Sequence, residues 1–401
     1  MNILVLNCGS SSIKYQLIDM TNEPIVMAKG LVERIGIPNS ELTHKPEGKD
    51  KFNIVQDIPN HEVGINLILD ALVNPVHGVI NNEKEIHAVG HRVAHGGENF
   101  KQSVLVDNSV LIDIEKCIEL APLHNPANLK GITSMEKILP GVKQVAVFDT
   151  SFHQTMPAYS YMYAIPHEFY DKYKVRRYGF HGTSYRFVVE KAGALVGKNW
   201  EDLKIVACHL GNGASIAAIN KGKCVDTSMG FTPVEGLIMG TRTGDLDLGV
   251  LLFLMEKEGL DSKKANNFIN KECGMQGISG ISSDMRDLWS AAESGNEKAK
   301  LALNMFAYRV RKYIGAYAAA MNGVDVILFT GGIGENDCQL RNMICTELTY
   351  LGVDFNSELN NGLRGKDMIL TKPNSKTIAM TVTTNEEAVI AADTKHIVYG
   401  A

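Results

Sequence analysis

The run Asn7-Cys8-Gly9-Ser10-Ser11-Ser12-Ile13-Lys14 has the makings of an anion holder. It sits between the apolar residues Ile3-Leu4-Val5-Leu6 and a second apolar stretch, so its glycine and serines fall on the turn of a hairpin. Glycine lets the backbone turn tightly with N–H groups pointing outward, and the hydroxyls of Ser10 and Ser12 and the Lys14 ammonium add donors. A second copy runs from Ile205 to Ile216 through His209-Leu210-Gly211-Asn212-Gly213-Ala214-Ser215. Aligned on Gly9 and Gly211, both copies carry a polar residue two positions earlier, close on Ser-Ile and differ by one residue in the loop. The chain has duplicated a turn that can cradle phosphate. Two such turns facing each other across a cleft would hold a phosphate chain from both sides.

Other candidates surround these turns. Gly331-Gly332-Ile333-Gly334-Glu335-Asn336 follows an apolar strand and precedes a helix expected to begin near Asp337; its glycines would let a phosphate or flat ligand lie on the backbone, a tight turn being the plainer use. Arg92, in His91-Arg92-Val93-Ala94-His95-Gly96-Gly97, and Arg242, in Gly240-Thr241-Arg242-Thr243-Gly244-Asp245, lie in turns too small and polar to need arginine for packing. A guanidinium stays charged at any working pH and forks onto phosphate or carboxylate, so both read as anion contacts. His91 and His95 lack the helix and the glutamate of a zinc motif. Asp149 ends an apolar strand, where a carboxylate serves as a Mg²⁺ anchor, a base or a helix cap. Glu386 and Glu387 open the last helix and, taken alone, read as acids complementing its dipole. His181, flanked by glycines, and His124, ahead of a helix, are either loop ligands or structural histidines.

No P-loop, no Rossmann glycine fingerprint, no G-x-S-x-G elbow and no Cys/His nucleophile pair occurs in the chain. The elements that must position the candidates alternate in type. Strands are expected at 3–6, 13–18, 25–32, 86–90, 144–148, 204–208, 215–219 and 325–329, with 376–383 strand-like. Helical spacing marks 61–73, 109–120, 126–138, 184–196, 246–258, 262–271, 295–322, 337–349 and 385–393, and 39–50 reads as a polar surface excursion. This is an α/β chain in which a hairpin opens each half. The duplication places a boundary near residue 150, and the last helix is expected to pack back on the first domain, giving domains 1–150 plus 384–401 and 151–383.

At 401 residues the chain is long enough for more than one core, and 45% hydrophobic with 21% charged residues suits a globular enzyme. No apolar run is long enough to span a bilayer, and the start of the chain lacks the basic flank of a signal peptide, so a cytoplasmic location is expected. A net charge of -5 without a polybasic block argues against nucleic acid as a partner. Seven cysteines without a C-x-x-C pair are read as reduced core filler.

Taken together, Asn7 to Lys14, His91 to Gly97, Tyr178-Gly179-Phe180-His181-Gly182-Thr183-Ser184, His209 to Ser215 and Thr330 to Asn336 closely resemble the acetate kinases, in order through essentially the whole chain. That family belongs with sugar kinases, heat-shock chaperones and actin. The resemblance implies a duplicated ribonuclease H-like, actin-like ATPase fold with the active site in the cleft between two domains, the first on the carboxylate side and the second on the nucleotide side. It implies reversible Mg²⁺-dependent transfer of the γ-phosphoryl group of ATP to acetate, giving acetyl phosphate and ADP, with Mn²⁺ able to substitute, and a homodimer. Carried over by position, Asn7, Ser10, Ser12 and Lys14 surround phosphates and metal, and Arg92 and Arg242 hold the carboxylate and the transferring group. His181 becomes the transition-state histidine with His124 a lesser contributor. Asp149 and Glu386 go to metal and catalysis, which displaces the helix-dipole reading of Glu386. His209, Gly211, Asn212, Gly213, Gly331, Gly332, Ile333, Gly334 and Asn336 face the nucleotide.

The acetate pocket of the family is apolar, and Ala94, Leu123, Phe180 and Pro233 match its positions. Acetate-selective members more often carry Val where Ala94 stands, and some propionate kinases carry Ala. An extra methylene in an apolar pocket is worth ~1–3 kcal/mol, so propionate is expected as a secondary substrate, with a propionate or butyrate kinase as the alternative reading. A carboxylate is already a nucleophile, so direct in-line transfer without a phosphoenzyme is expected. A peptide-binding chaperone would need a further module, and a sugar kinase a larger polar pocket.

Overall fold

The computed structural model describes residues 1–400 and divides into two compact units, Met1–Phe152 with the segment from Asn385 onward, and His153–Thr384. In the first unit the strands are β1 (Asn2–Cys8), β2 (Ser12–Asp19), β3 (Ile25–Glu33), β4 (Glu41–Pro46), β5 (Phe52–Val55), β6 (Ile86–Val93), β7 (Val104–Leu105) and β8 (Lys143–Phe148). They form one sheet in the order β5-β4-β3-β2-β1-β6-β8-β7. In the second unit β9 (Lys204–Leu210), β10 (Ala214–Asn220), β11 (Lys223–Thr227), β12 (Val326–Thr330), β13 (Met368–Ile369) and β14 (Ile378–Thr381) form another, in the order β11-β10-β9-β12-β14-β13.

The runs β3-β2-β1-β6-β8 and β11-β10-β9-β12-β14 have the same order. In each, three strands are joined antiparallel and two more follow parallel to the first-formed strand. This is the ribonuclease H-like order, present twice, and it gives the duplicated sequence motif a structural counterpart: the motif is the β1–β2 turn in one unit and the β9–β10 turn in the other.

Parallel strands covered on both faces read as unbroken apolar runs, and β1 is such a strand. Leu4 and Leu6 face a cluster with Ile65 and Ile68 of helix His61–Val73, while Ile3 and Val5 face one with Ile390 and Ala391 of helix Glu386–Tyr399. Each such side chain removed from water contributes ~1.5–3 kcal/mol. The last helix therefore belongs to the first unit, seated on β1, β6 and β8. It comes so close to β6 that a Cβ on Gly90 would lie 2.5 Å from Ile390 Cγ2 and from Thr394 Oγ1. In the second unit the long helix Glu297–Ala320 buries Ala299, Ala302, Leu303, Phe306, Ala307, Val310, Ile314 and Tyr317 at the spacing of one helical face, and Asn296 caps it by accepting from Ala299 N–H at 3.0 Å.

The structure departs from sequence expectation in several places. Residues 39–50 are not a surface excursion: β4 alternates Leu42, His44 and Pro46 inward, and the polar His44 is fully buried because Tyr15 Oη bonds its Nδ1 at 2.5 Å. The glycine run at 331 is itself helical, Gly331–Asn336, and Asp337 caps a further helix, Cys338–Cys345. The helical spacing at 262–271 resolves into Ser262–Asn267 followed by a π-helical turn at Phe268–Glu272. Helix Leu248–Glu258 forms but buries none of its residues. All seven cysteines are free, Cys273 and Cys338 being partly exposed. Among the described residues no helix is long and apolar enough to cross a membrane.

Because Gly90 is where helix Glu386–Tyr399 touches the sheet, Gly90→Ala is expected to destabilise the protein by ~1–3 kcal/mol, as overpacked cores do. A thermal unfolding midpoint equal to that of the unaltered protein would show that the helix is not seated there.

Candidate functional site

In the first unit β1, β6 and β8 run parallel, so Cys8, Val93 and Phe148 end at one edge of the sheet, the edge at which open α/β sheets bind ligands. The β1–β2 turn begins there. Cys8 pairs with Ile13, leaving four residues in the turn, whereas Leu210 pairs with Ala214 and leaves three; by strand register the first turn is the longer by one, the reverse of what alignment on the closing Ser-Ile implies. Gly9 N–H donates to Ser12 C=O at 2.8 Å, and His61 Nε2 donates to Gly9 C=O at 2.7 Å. Ser10 and Lys14 are exposed, and Ser12 is partly so.

Three of the sequence candidates, Asn7, Asp149 and Glu386, converge on the guanidinium of a fourth, Arg92. Arg92 Nη2 meets Asp149 Oδ2 at 2.6 Å, its Nε reaches both Asp149 oxygens at 3.2 and 3.1 Å, and Nη1 donates to Asn7 Oδ1 at 3.4 Å. Glu386 Oε2 lies 3.8 Å from Arg92 Nε. Asp149 is 1% exposed, and the fork onto it is the main reason the Arg92 proton is held more tightly than usual. Burial raises the Glu386 carboxyl to about 7; Arg92 opposes that shift and Asp149 adds to it. Asn7, Asp149 and Glu386 offer only oxygen, the donor type of Mg²⁺, which takes one or two carboxylates and leaves its other positions to water and phosphate. The described residues hold no group of three or more His, Cys, Asp or Glu that could bind a metal.

Asn128, which sequence reading passed over, ties this edge together. Its Nδ2 donates to Cys8 C=O at 2.8 Å and its Oδ1 accepts Ala94 N–H at 3.0 Å. Asn125, one turn earlier, bonds both the N–H and the C=O of His95 at 3.1 and 2.9 Å. Both belong to helix Asn125–Ile138, whose N-cap position is His124, so the helix that carries His124 also fixes the segment carrying Arg92 and Ala94. Ala94 is buried, and Leu123 is 52% exposed.

In the second unit His181 takes a left-handed backbone, φ 59°, at the start of helix Gly182–Val196. For a residue with a Cβ this costs on the order of 1–3 kcal/mol and persists only where its surroundings impose it. They do: buried His153 donates from Nε2 to Phe180 C=O at 2.8 Å, and Gly179, also at positive φ, packs on the His153 ring. The His181 ring stacks on His209, centroids 4.2 Å apart, and its Nδ1 bonds Ser215 Oγ at 2.9 Å. His209 thus lies behind His181, its Nδ1 held by Ser184 Oγ at 2.8 Å. A Cβ on Gly213 would lie 3.8 Å from His181 Nε2 and 3.6 Å from Arg242 Nη1, which brings the second turn, the imidazole and the guanidinium together.

Arg242 donates to Pro233 C=O at 3.2 Å and makes no ion pair among the described residues, and burial lowers its affinity for its proton. A partly buried guanidinium without a counter-ion is an anion site in waiting. Phe180 is 5% exposed and Pro233 partly exposed. Beside the turn, a cavity of about 770 Å³ is lined by Asn212, Gly332, Ile333 and Asn336 together with Arg286 and Trp289. That volume suits a nucleotide-sized ligand. Arg286 and Trp289 were not foreseen; they lie on a helix, Met285–Glu293, that the sequence analysis did not mark, and only the fold brings it beside the glycine run. Gly331 N–H is taken by the Glu335 carboxylate at 2.9 Å, so that glycine serves its own turn.

Each unit thus carries a glycine turn beside an arginine, groups suited to handling phosphate and carboxylate anions. The sequence pattern of the acetokinase family matches residues 2–392, and the chain belongs to that family. It is 56% identical to the acetate kinase of Treponema denticola over 99% of this chain and 100% of that one. It is likewise 56% identical to that of Thermotoga maritima over 99% of both. Among solved structures, Porphyromonas gingivalis acetate kinase superposes with a TM-score of 0.96 at 51% identity, covering 99% of each chain. A propionate kinase from Francisella tularensis superposes with a TM-score of 0.92 at 39% identity over 99% of this chain and 100% of the other.

The raised Glu386 carboxyl makes a stability prediction for metal-free protein. Between pH 4.5 and about 7 the folded chain keeps a proton that the unfolded chain has released, so this group's contribution to stability falls as pH rises through that interval. Glu386→Gln removes the contribution. In EDTA the unaltered protein should lose more stability than the variant between pH 5 and 7.5, and parallel stability–pH curves would refute the assignment.

Proposed function

We propose that this chain is an acetate kinase, transferring the γ-phosphoryl group of ATP reversibly and in line to acetate, with Mg²⁺. The observation that carries this reading is the full-length match, above half identity, to proteins named acetate kinase. The two compact units correspond, on this reading, to the carboxylate-side and nucleotide-side domains of the family. Both contribute to the reaction, and the protein works in the cytoplasm as a homodimer. Helix Leu248–Glu258 supports the dimer: Leu248, Leu252 and Phe253 are 77, 67 and 56% exposed on it, an apolar face that a second copy would cover.

The chemistry asks little of a base, because acetate is already a nucleophile, and much of electrostatics, because two anions must meet. Arg242 is the cation with charge to spare, and its guanidinium would steady the transferring group. Arg92 is bound to Asp149 and Glu386, so it supplies orientation and a share of positive charge rather than a free cation. His181 presents Nε2 at the same turn as Arg242 and would donate to an oxygen of the phosphoryl group. Asn7, Asp149 and Glu386 would hold Mg²⁺, which when bound neutralises phosphate oxygens. Ser10, Ser12 and Lys14 would take phosphate on the first unit, with His124 close to the acyl group; Asn212, Gly213 and the Gly332–Asn336 turn would take the nucleotide on the second. Ala94, Leu123, Phe180 and Pro233 would line the methyl end of the substrate. Propionate kinase is the second reading, favoured by Ala94 and by the likeness to the Francisella tularensis protein.

One assay series separates these readings. With ATP and Mg²⁺, hydroxylamine should trap acyl hydroxamate from acetate and, less efficiently, from propionate; failure with acetate, propionate and butyrate alike would sink the kinase reading. A preference for acetate above a few hundredfold in kcat/KM would exceed what one methylene in a roomy pocket allows, ~10–200-fold, and Ala94→Val should move the preference toward acetate. Chiral γ-phosphorus should invert, and retention would mean a phosphoenzyme.

For the dimer, light scattering should give twice the 43.9 kDa chain mass, falling toward one chain for Leu252→Glu. A monomer in the unaltered protein would overturn it.

A further inference from the structure

The stretch 229–245, which carries Arg242, contains two acids, Glu235 and Asp245. Each is met by one arginine and one tyrosine from elsewhere in the second unit. Glu235 Oε1 accepts from Arg177 Nη2 and its Oε2 from Tyr163 Oη, both at 2.5 Å. Asp245 Oδ2 accepts from Tyr313 Oη at 2.8 Å and lies 3.6 Å from Arg309 Nη1. Tyr163 and Arg177 belong to the segment ahead of His181, and Arg309 and Tyr313 to helix Glu297–Ala320. Burial first, and the charge of the facing carboxylate next, push both phenols well above the usual tyrosine range, so each keeps the proton it donates. Asp247, just past the stretch, is occupied as a helix cap and accepts Gly249 N–H at 2.8 Å.

The same contacts hold the backbone around Arg242. Asp245 Oδ1 accepts Gly236 N–H at 2.8 Å, and Asp245 N–H donates to Gly236 C=O at 3.0 Å, which closes the loop at its two ends. Arg309 Nη1 also donates to Gly236 C=O at 2.8 Å, and Arg177 Nη1 to Thr227 C=O at 2.8 Å. Arg177 Nε lies 3.9 Å from a further acid, Asp226. Gly230 gives Glu235 its room, since a Cβ there would overlap both Glu235 Oε2 and Tyr163 Oη. The Arg242 guanidinium sits at Pro233 C=O, two residues ahead of Glu235, and Asp245 follows Arg242 by three. A partly buried cation draws any carboxylate within reach. The loop that supplies the cation therefore also supplies two anions able to neutralise it, and both are engaged by other donors.

We propose that Arg177 with Tyr163, and Arg309 with Tyr313, are positioning pairs that hold Glu235 and Asp245 away from Arg242, so that the loop offers the phosphoryl group a guanidinium without a counter-ion. This rests on the reading of Arg242 as the cation of phosphoryl transfer. The role differs from that of a staple. A staple fails when either partner is lost, whereas an acid held aside does no harm once its charge is gone.

The Arg309–Asp245 pair gives the test, because both side chains are partly exposed, 21 and 44%, and can be altered without opening the core. Arg309→Ala should lose ~10–100-fold in kcat, part of what loss of a transition-state donor costs, with KM for ATP little changed. Asp245→Asn keeps the shape and an acceptor for Gly236 N–H and should stay within about threefold of the unaltered protein. Added to Asp245→Asn, Arg309→Ala should cost no more than about twofold further. Arg309→Lys, which keeps the cation, should retain most of kcat. Calorimetry with inorganic phosphate supplies a readout apart from turnover: the share of affinity that Arg242→Ala removes should fall in Arg309→Ala and return in the double variant. Tyr313→Phe, alone and with Asp245→Asn, repeats the comparison should Arg309→Ala not fold. Full kcat in Arg309→Ala, Asp245→Asn as damaging as Arg309→Ala, or a double variant no better than Arg309→Ala would each overturn the proposal. The phosphate pattern without transfer to any carboxylate would instead defeat the functional reading and leave the two restrained acids standing.

Discussion

A guanidinium kept partly out of water without a carboxylate beside it is held against its own preference for solvent, and the second unit is built around holding Arg242 in that state. A counter-ion would remove the strain and the function together, since a neutralised arginine has little left for a substrate. The support is therefore backbone. Arg242 donates to Pro233 C=O, its own C=O accepts Met239 N–H at 3.1 Å, and its neighbours Thr241 C=O and Thr243 N–H bond Cys273 N–H and Ile269 C=O. Gly274 permits this packing: a Cβ there would lie 2.2 Å from Met239 C=O, and its φ of 64° belongs to glycine. Carbonyl dipoles orient the guanidinium while leaving its net charge intact. Arg92 is the opposite case, pinned by Asp149 and Glu386, and so contributes geometry more than charge.

The duplicated turn shows the same division. Both copies open a sheet of one topology, yet the first has Lys14 and two serines near solvent with carboxylates close by, and the second has no charged residue of its own and works through His181 and Arg242, which other segments bring to it. A common backbone thus serves different electrostatics. The strand order behind the turn is what the two units share, while the turn itself differs by one residue; the charges around it come from side chains on distant segments and are free to diverge.

How much was legible from sequence follows from this. The central strands and most long helices were visible because their apolar residues repeat at the period of the element, whereas the short or peripheral strands β4, β5, β7, β11 and β13 were not. The glycine turns, Arg92, Arg242, Asp149 and His181 were visible because their residue types are out of place for packing. Residues 39–50 were misread since His44 looks polar until Tyr15, a neighbour only through the sheet, satisfies it. His153 and Asn128 were missed for a related reason. Each acts through hydrogen bonds to segments far along the chain, and neither spacing nor composition marks such bonds. Sequence discloses groups that meet a ligand more readily than groups that aim them.

Glu386 is where two local readings meet and only the structure ranks them. It opens a helix capped by Asn385, which accepts Ala388 N–H at 3.1 Å, and an acid in the first turn is normally made more acidic by the dipole, worth ~0.3–1 kcal/mol. The dipole and Arg92 both favour the charged form. The carboxyl is nevertheless raised, so burial outweighs their combined pull. An acid placed for helix stability alone would point to water, as first-turn acids can at no expense. Glu386 instead turns toward Arg92 and Asp149, keeping only 21% of its side chain exposed. A carboxylate held near another carboxylate, with too little positive charge to satisfy both, is a pair that a divalent cation would stabilise, and the helix cap is then what delivers it there.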